Sequence, residues 1–196
     1  MSRQARIERK TGETSIELAL DLDGGEYSAE TGVGFFDHML DLLARHANIG
    51  LDVKATGDLE TGSHHTVEDV GIVIGQAIDQ ALGDRAGIRR YGSAVVPMDE
   101  ACAECALDFS GRALSVFRGD IPVTSIANYQ TELTEEFFRA VAGGARMTLH
   151  IDIRYGSNVH HMIEATFKAF ARALRVAVSI DPDEKGVPST KGTLNG

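Results

Sequence analysis

A five-residue cassette occurs twice in this chain. The pattern His-His-x-x-Glu stands at His64-His65-Thr66-Val67-Glu68 and again, 96 positions later, at His160-His161-Met162-Ile163-Glu164. Each copy opens an amphipathic stretch: Val67, Ile74, Ile78 and Leu82 recur at helical spacing after the first, and Phe167, Phe170, Leu174 and Val178 after the second. The segments upstream match in the same order. A helical stretch, FFDHMLDLLARH or TEEFFRAVAGG, is followed by an alternating, strand-like one, NIGLDVKAT or RMTLHIDIRYG. SIELALDLDG and CAECALDFSGRALSVFRG open the two halves as further strand candidates. A chain that repeats its elements in order folds as two copies of one unit. The pattern therefore predicts an α+β protein of two similar halves, about 90 residues each, built as strand, strand, helix, strand, helix. The predicted boundaries are 1–90 and 91–182, meeting at the Gly-rich joint GDRAGIRRYG, with a polar C-terminal segment at 183–196.

Paired histidines at helix starts point to metal chemistry. Neighbours on a helix diverge by about 100°, so adjacent imidazoles do not readily bind one ion, whereas residues three or four apart share a face. His64 with Glu68 and His160 with Glu164 are four apart, while His65 with Glu68 and His161 with Glu164 are three apart. If the halves pack by a pseudo-twofold axis, each ion takes histidines from both cassettes plus a carboxylate. Aligning the upstream helices sets His38 against Glu136 and adds one donor per half. Four protein ligands in an octahedral shell leave positions for water or substrate, as a catalytic site requires. Nitrogen and oxygen donors without thiolate suit Mn(II), Fe(II), Co(II) or Zn(II). Asp37 and Asp69, beside the proposed ligands, are expected to orient them. His46 and His150 lack such partners and are expected to be structural. Cys102 and Cys105 form a C-x-x-C, but in an alternating apolar stretch they point to opposite faces and are expected to be buried thiols.

Charge narrows the partners. A formal net charge of -10 argues against nucleic acid, although local basic pockets for a small phosphate remain open. Two cysteines cannot staple a secreted scaffold, and no apolar run approaches the roughly 20 residues of a membrane span. The N-terminal stretch has no apolar core of a signal peptide, and a cytoplasmic protein without membrane or nucleic-acid partners is expected.

The motifs Phe36-Asp37-His38-Met39-Leu40, Ala55-Thr56-Gly57-Asp58, His64-His65-Thr66-Val67-Glu68-Asp69, Asp108-Phe109-Ser110-Gly111-Arg112, His160-His161-Met162-Ile163-Glu164-Ala165 and Pro188-Ser189-Thr190-Lys191-Gly192 together resemble the imidazoleglycerol-phosphate dehydratase family of histidine biosynthesis, from about Arg6 to Leu194. The resemblance implies two halves of the ribosomal protein S5 domain 2-like kind, each a four-stranded sheet with two helices, with helices packed between the sheets. It implies a hydro-lyase that converts D-erythro-imidazoleglycerol phosphate to imidazole acetol phosphate with two Mn(II) per chain. It implies trimers assembled into a 24-mer with sites between subunits. Carried over by position, one ion would take His64, Glu136, His160 and Glu164, and the other His38, His65, Glu68 and His161. Many family members have His at the position of Glu136, and some have Gln at that of Leu42. Glu13 and Lys168, supported by Asp99, would serve acid–base roles, and Arg90, Arg112, Ser189 and Lys191 would bind the phosphate. The site chemistry then suggests a metal-bound imidazolate that expels the hydroxyl. A two-metal phosphatase and a metal-storage protein would use similar ligands, and both stay open at the level of residues alone.

Overall fold

The computed structural model describes residues 3–194. The first half runs β1 (Gln4–Lys10), β2 (Thr14–Asp21), β3 (Tyr27–Glu30), α1 (Gly34–Ala47), β4 (Gly50–Gly57) and α2 (His64–Leu82). The second runs β5 (Tyr91–Met98), β6 (Ala101–Asp108), β7 (Leu114–Arg118), a small ribbon of β8 (Ser125–Ile126) and β9 (Tyr129–Gln130), then α3 (Leu133–Gly144), β10 (Thr148–Tyr155) and α4 (Val159–Ala177). The sheet orders are the same, β1-β2-β4-β3 and β5-β6-β10-β7, with one parallel pair at the same place in each. Periodicity alone counts three strands per half, whereas each main sheet has four and the second half adds the β8–β9 ribbon. The element that pattern analysis misses in the first half is β3, a four-residue edge strand, Tyr-Ser-Ala-Glu, which is mostly exposed and carries no apolar alternation.

The strands alternate because one face of each sheet is covered. On β2, Thr14, Ile16, Leu18 and Leu20 point inward, and on β10, Leu149, Ile151 and Ile153 do so. Helices α1 and α2 cover the first sheet, α3 and α4 the second, and the layers meet as α2 against α3 and α1 against α4. All four helices therefore lie between the sheets. This explains the burial of α2 and α4 on most sides and their high content of Ala, Gly and Val. A chain of phenylalanine rings crosses the seam: Phe36 to Phe137 at 5.3 Å, Phe137 to Phe138 at 5.1 Å, and Phe138 to Phe167 at 4.8 Å. Aromatic pairs of this kind contribute about 0.5–1.5 kcal/mol beyond their burial, and the edge-to-face Phe36–Phe137 pair, which joins the halves, helps fix how they register.

Cys102 and Cys105 are buried free thiols on β6. The joint between the halves is not a free linker. Its backbone pairs with the chain after α4: Arg89 N–H donates to Ser179 at 2.9 Å, Gly87 N–H to Gly186 at 2.8 Å, and Asp181 N–H to Gly87 at 2.8 Å. The polar C-terminal segment thereby lies along the joint, as far as Leu194, which is buried. Residues 195 and 196 of that segment lie outside the described residues. Among the described residues no helix is long and apolar enough to cross a membrane.

Candidate metal and phosphate sites

Both cassettes sit at helix N-termini. His64 and His65 open α2, while His160 and His161 lie in the first turn of α4, where Asn158 caps the helix by accepting from His160 N–H at 2.9 Å and His161 N–H at 3.4 Å. Glu68 and Glu164 follow one turn later. Because α1 packs on α4, His38 from the first half reaches the second cassette. The donor atoms of His38, His160 and Glu164 all lie within 4.8 Å of one another. His160 Nε2 is 3.2 Å and His38 Nε2 4.0 Å from the same Glu164 oxygen. Lys168, one turn on, holds the other oxygen at 2.6 Å. Burial alone would raise the Glu164 pKa, but Lys168 and then His160 outweigh it, so the carboxyl sits below its ordinary value and stays ionised. Two imidazoles and a buried carboxylate without thiolate form a donor set that fits a divalent transition metal.

The chain thus groups His38 with His160 and Glu164, across the two ligand sets expected by position. On the pseudo-symmetric side, His64 Nε2 and Glu68 are 3.4 Å apart, and Glu136 is engaged by Arg139 at 2.8 and 2.9 Å. Among the described residues no further donor closes that side into a mutual cluster of the same tightness.

The carboxylates in contact with the histidines are different from those expected. Asp37 accepts from Thr31 N–H at 2.9 Å and Thr31 Oγ1 at 2.6 Å and so fixes the entry to α1, not a histidine. Asp69 is tied to the first sheet through Thr14 at 2.5 Å and Arg9 at 2.6 Å. Asp58 and Glu100 meet the histidines instead: His65 Nδ1 lies 3.0 and 3.1 Å from the Asp58 oxygens and His161 Nδ1 2.7 Å from Glu100. The bond from Asp58 raises the His65 pKa above its ordinary value, and that from Glu100 does the same for His161. Glu100 is in turn held down to about 2, by His161 first and then by the Asn158 N–H. Asp58 could have been noticed within the Ala55–Asp58 motif. Glu100 carried no signal beyond its place next to Asp99. Glu13 and Asp99 face the remaining nitrogens, 3.7 Å from His65 Nε2 and 3.8 Å from His161 Nε2. Leu42 packs against the core, and His46 and His150 belong to no donor cluster among the described residues.

A second, open cleft of about 730 Å³ brings together Arg90, Arg112, Ser189 and Lys191. Their roles in it differ. Arg90 Nε and Nη2 donate to Asp108 at 2.6 and 3.1 Å, and Nη1 donates to the Pro188 carbonyl at 2.8 Å. Its charge is already matched, and Asp108 holds its pKa above the ordinary value. Arg112 and Lys191 are exposed, and their cationic groups have no partner among the described residues. Ser189 Oγ accepts from Lys191 N–H at 3.2 Å, a turn that keeps the two side by side.

The model of the family "Imidazoleglycerol-phosphate dehydratase" matches residues 31–174. The chain is 58% identical over 195 residues to the imidazoleglycerol-phosphate dehydratase of Acetivibrio thermocellus, covering 99% of this chain and all of that one. The crystal structure of the Staphylococcus aureus enzyme superposes with a TM-score of 0.83 at 40% identity over 91% of this chain and 99% of that one. The Pyrococcus furiosus enzyme gives 0.83 at 33% identity over 95% and 99%.

Proposed function

The chain belongs to the imidazoleglycerol-phosphate dehydratase family, hydro-lyases of histidine biosynthesis, and from that premise we propose that it dehydrates D-erythro-imidazoleglycerol phosphate to imidazole acetol phosphate with two divalent ions per chain, Mn(II) foremost. The observation that carries the metal dependence is the meeting of His38, His160 and Glu164 from opposite halves of the chain. The set joins two imidazoles to a buried, ionised carboxylate, donors that suit a divalent transition metal. His64, His65, Glu68, Glu136 and His161 supply the remaining donors. Bound there, the ions would act as Lewis acids toward the substrate's imidazole.

The protein's own groups then have separable tasks. Glu13, exposed on the β1–β2 turn, is the candidate base for the carbon-bound proton. Lys168, largely buried beside Glu164, is positioned to hold a proton for the departing hydroxyl, with Asp99 in support near His161. Arg112, Lys191 and Ser189 bind the phosphate, and Arg90 holds the segment that carries two of them. The phosphate stays on the product, which separates this reaction from that of a phosphatase. Assembly as a 24-mer built from trimers in the cytoplasm is part of the same reading, and Tyr91, Val95, Tyr155 and Ile180 are among the apolar side chains exposed on the single chain.

Chelation followed by restoration tests the proposal. Stripping metal should abolish formation of the ketone from imidazoleglycerol phosphate, and Mn(II) should restore it at two ions per chain, counted by elemental analysis. Full activity in the stripped enzyme, or a count of one, would overturn it.

A further inference from the structure

The two histidines of each cassette are held in different ways, and the difference is the same in both halves. The first of each pair turns Nε2 to the glutamate one turn later, His64 to Glu68 at 3.4 Å and His160 to Glu164 at 3.2 Å. The second is pinned through Nδ1 by a carboxylate from outside its helix, His65 by Asp58 and His161 by Glu100. A carboxylate can only accept, so each bond requires the proton on Nδ1 and leaves Nε2 as the nitrogen with the free lone pair.

The halves reach this arrangement from non-equivalent positions. Asp58 follows β4, in the loop that enters its own helix, and its N–H donates to the Glu13 carbonyl on the β1–β2 turn at 3.1 Å. Glu100 sits on the β5–β6 turn itself. One of its oxygens accepts from Asn158 N–H at 2.7 Å and Ser157 N–H at 3.1 Å, tying the start of α4 to that turn, while the other takes His161. In each half a hairpin turn is clamped to the loop before a helix, and in each the clamp supplies the acceptor for the same imidazole nitrogen. Inherited symmetry would have placed the acceptor at equivalent positions. A shared requirement explains why two different positions arrive at one geometry.

We propose that Asp58 and Glu100 are positioning residues that fix His65 and His161 as Nδ1–H tautomers and present Nε2 to the metal. The proposal rests on the metal-binding function above. A carboxylate behind a ligating imidazole sets both its tautomer and its ring orientation, and its loss weakens metal binding by about 10- to 100-fold.

Magic-angle-spinning ¹⁵N spectra of metal-free, histidine-labelled full chain, together with Mn(II) titrations followed by electron paramagnetic resonance, test it. Asp58→Ala should release the Nδ1–H preference of His65 and leave His161 unchanged, and Glu100→Ala should do the reverse. Each should weaken one of the two ions by about 10- to 100-fold. Asp58→Asn and Glu100→Gln keep an accepting oxygen and should recover the tautomer and most of the affinity, which a merely structural role would not. Should Glu100→Ala unfold because α4 loses its tie, Asp58→Ala, whose carboxylate holds no helix start, carries the test. Unchanged tautomers and affinities in the alanine variants, with a wild type that binds two ions, would overturn this inference alone. A wild type that takes up no Mn(II) would instead overturn the metal function.

Discussion

Glu164 shows how a carboxylate can be buried and still charged. Its desolvation is outweighed by an ammonium at 2.6 Å and an imidazole at 3.2 Å, and it gains a structural reason to wait beside two histidines. His46 is the opposite case. It is half-buried on α1, and desolvation first, then Lys168, Arg172 and Arg45, push its pKa below the ordinary 6.5. The folded chain therefore prefers the neutral ring. Above about pH 6.5 both folded and unfolded states are neutral at this position and nothing is lost. As pH drops below that value the unfolded state takes up the proton first, and stability declines until pH has passed the folded value. His46→Gln should flatten this loss between about pH 7 and pH 5 in thermal unfolding series. Parallel wild-type and variant curves would show that His46 is not responsible.

Among the elements, the α2–α3 crossing brings two helix backbones close together and gives a clear cost of change. A Cβ on Gly75 would stand 2.5 Å from the Val141 carbonyl, 2.7 Å from Ala145 N and 2.8 Å from Gly144 Cα. These are backbone atoms, which cannot swing aside as a side chain would. Alanine at a helix interior gains up to about 1 kcal/mol over glycine, but overpacking costs about 1–3 kcal/mol, so Gly75→Ala should lower the urea midpoint. Gly143→Ala meets nothing within 4 Å and should leave the midpoint unchanged or raise it. Equal effects from the two would mean that the crossing is not close-packed. The helices and central strands were legible because burial on one or more faces imposes a period on the residues that make them. Strand β3 was not, because an exposed edge imposes none, and its pairing with β4 is settled by the parallel ladder alone.

For the molecule as a whole, the cleft couples binding to the fold of the C-terminal segment. Arg90 faces Asp108 and the Pro188 carbonyl, whereas Arg112 faces solvent. Arg112→Gln should raise the KM for the phosphate substrate by about 10- to 100-fold, since charge-assisted hydrogen bonds are worth about 1.5–3 kcal/mol. It should leave the protease sensitivity of residues 183–194 as it was. Arg90→Gln should raise KM and also expose that segment to proteolysis. A normal KM in Arg112→Gln would remove the cleft from the phosphate site.

Sequence alone determined the duplication, the α+β class and the placing of His64, His65, Glu68, His160, His161 and Glu164 at helix starts. Each of these rests on spacing within one element, where 3.6 residues per turn or alternate faces decide the geometry. Tertiary structure decided which donors meet. His38 joins His160 and Glu164 because α1 packs on α4, and Asp58 and Glu100, instead of Asp69 and Asp37, take the second histidines because hairpin turns clamp to the loops before α2 and α4. Such pairings join residues from 7 to 126 positions apart. No local period reaches across the longer separations, and the shortest spans a loop that has no period of its own, so all of them depend on the tertiary fold.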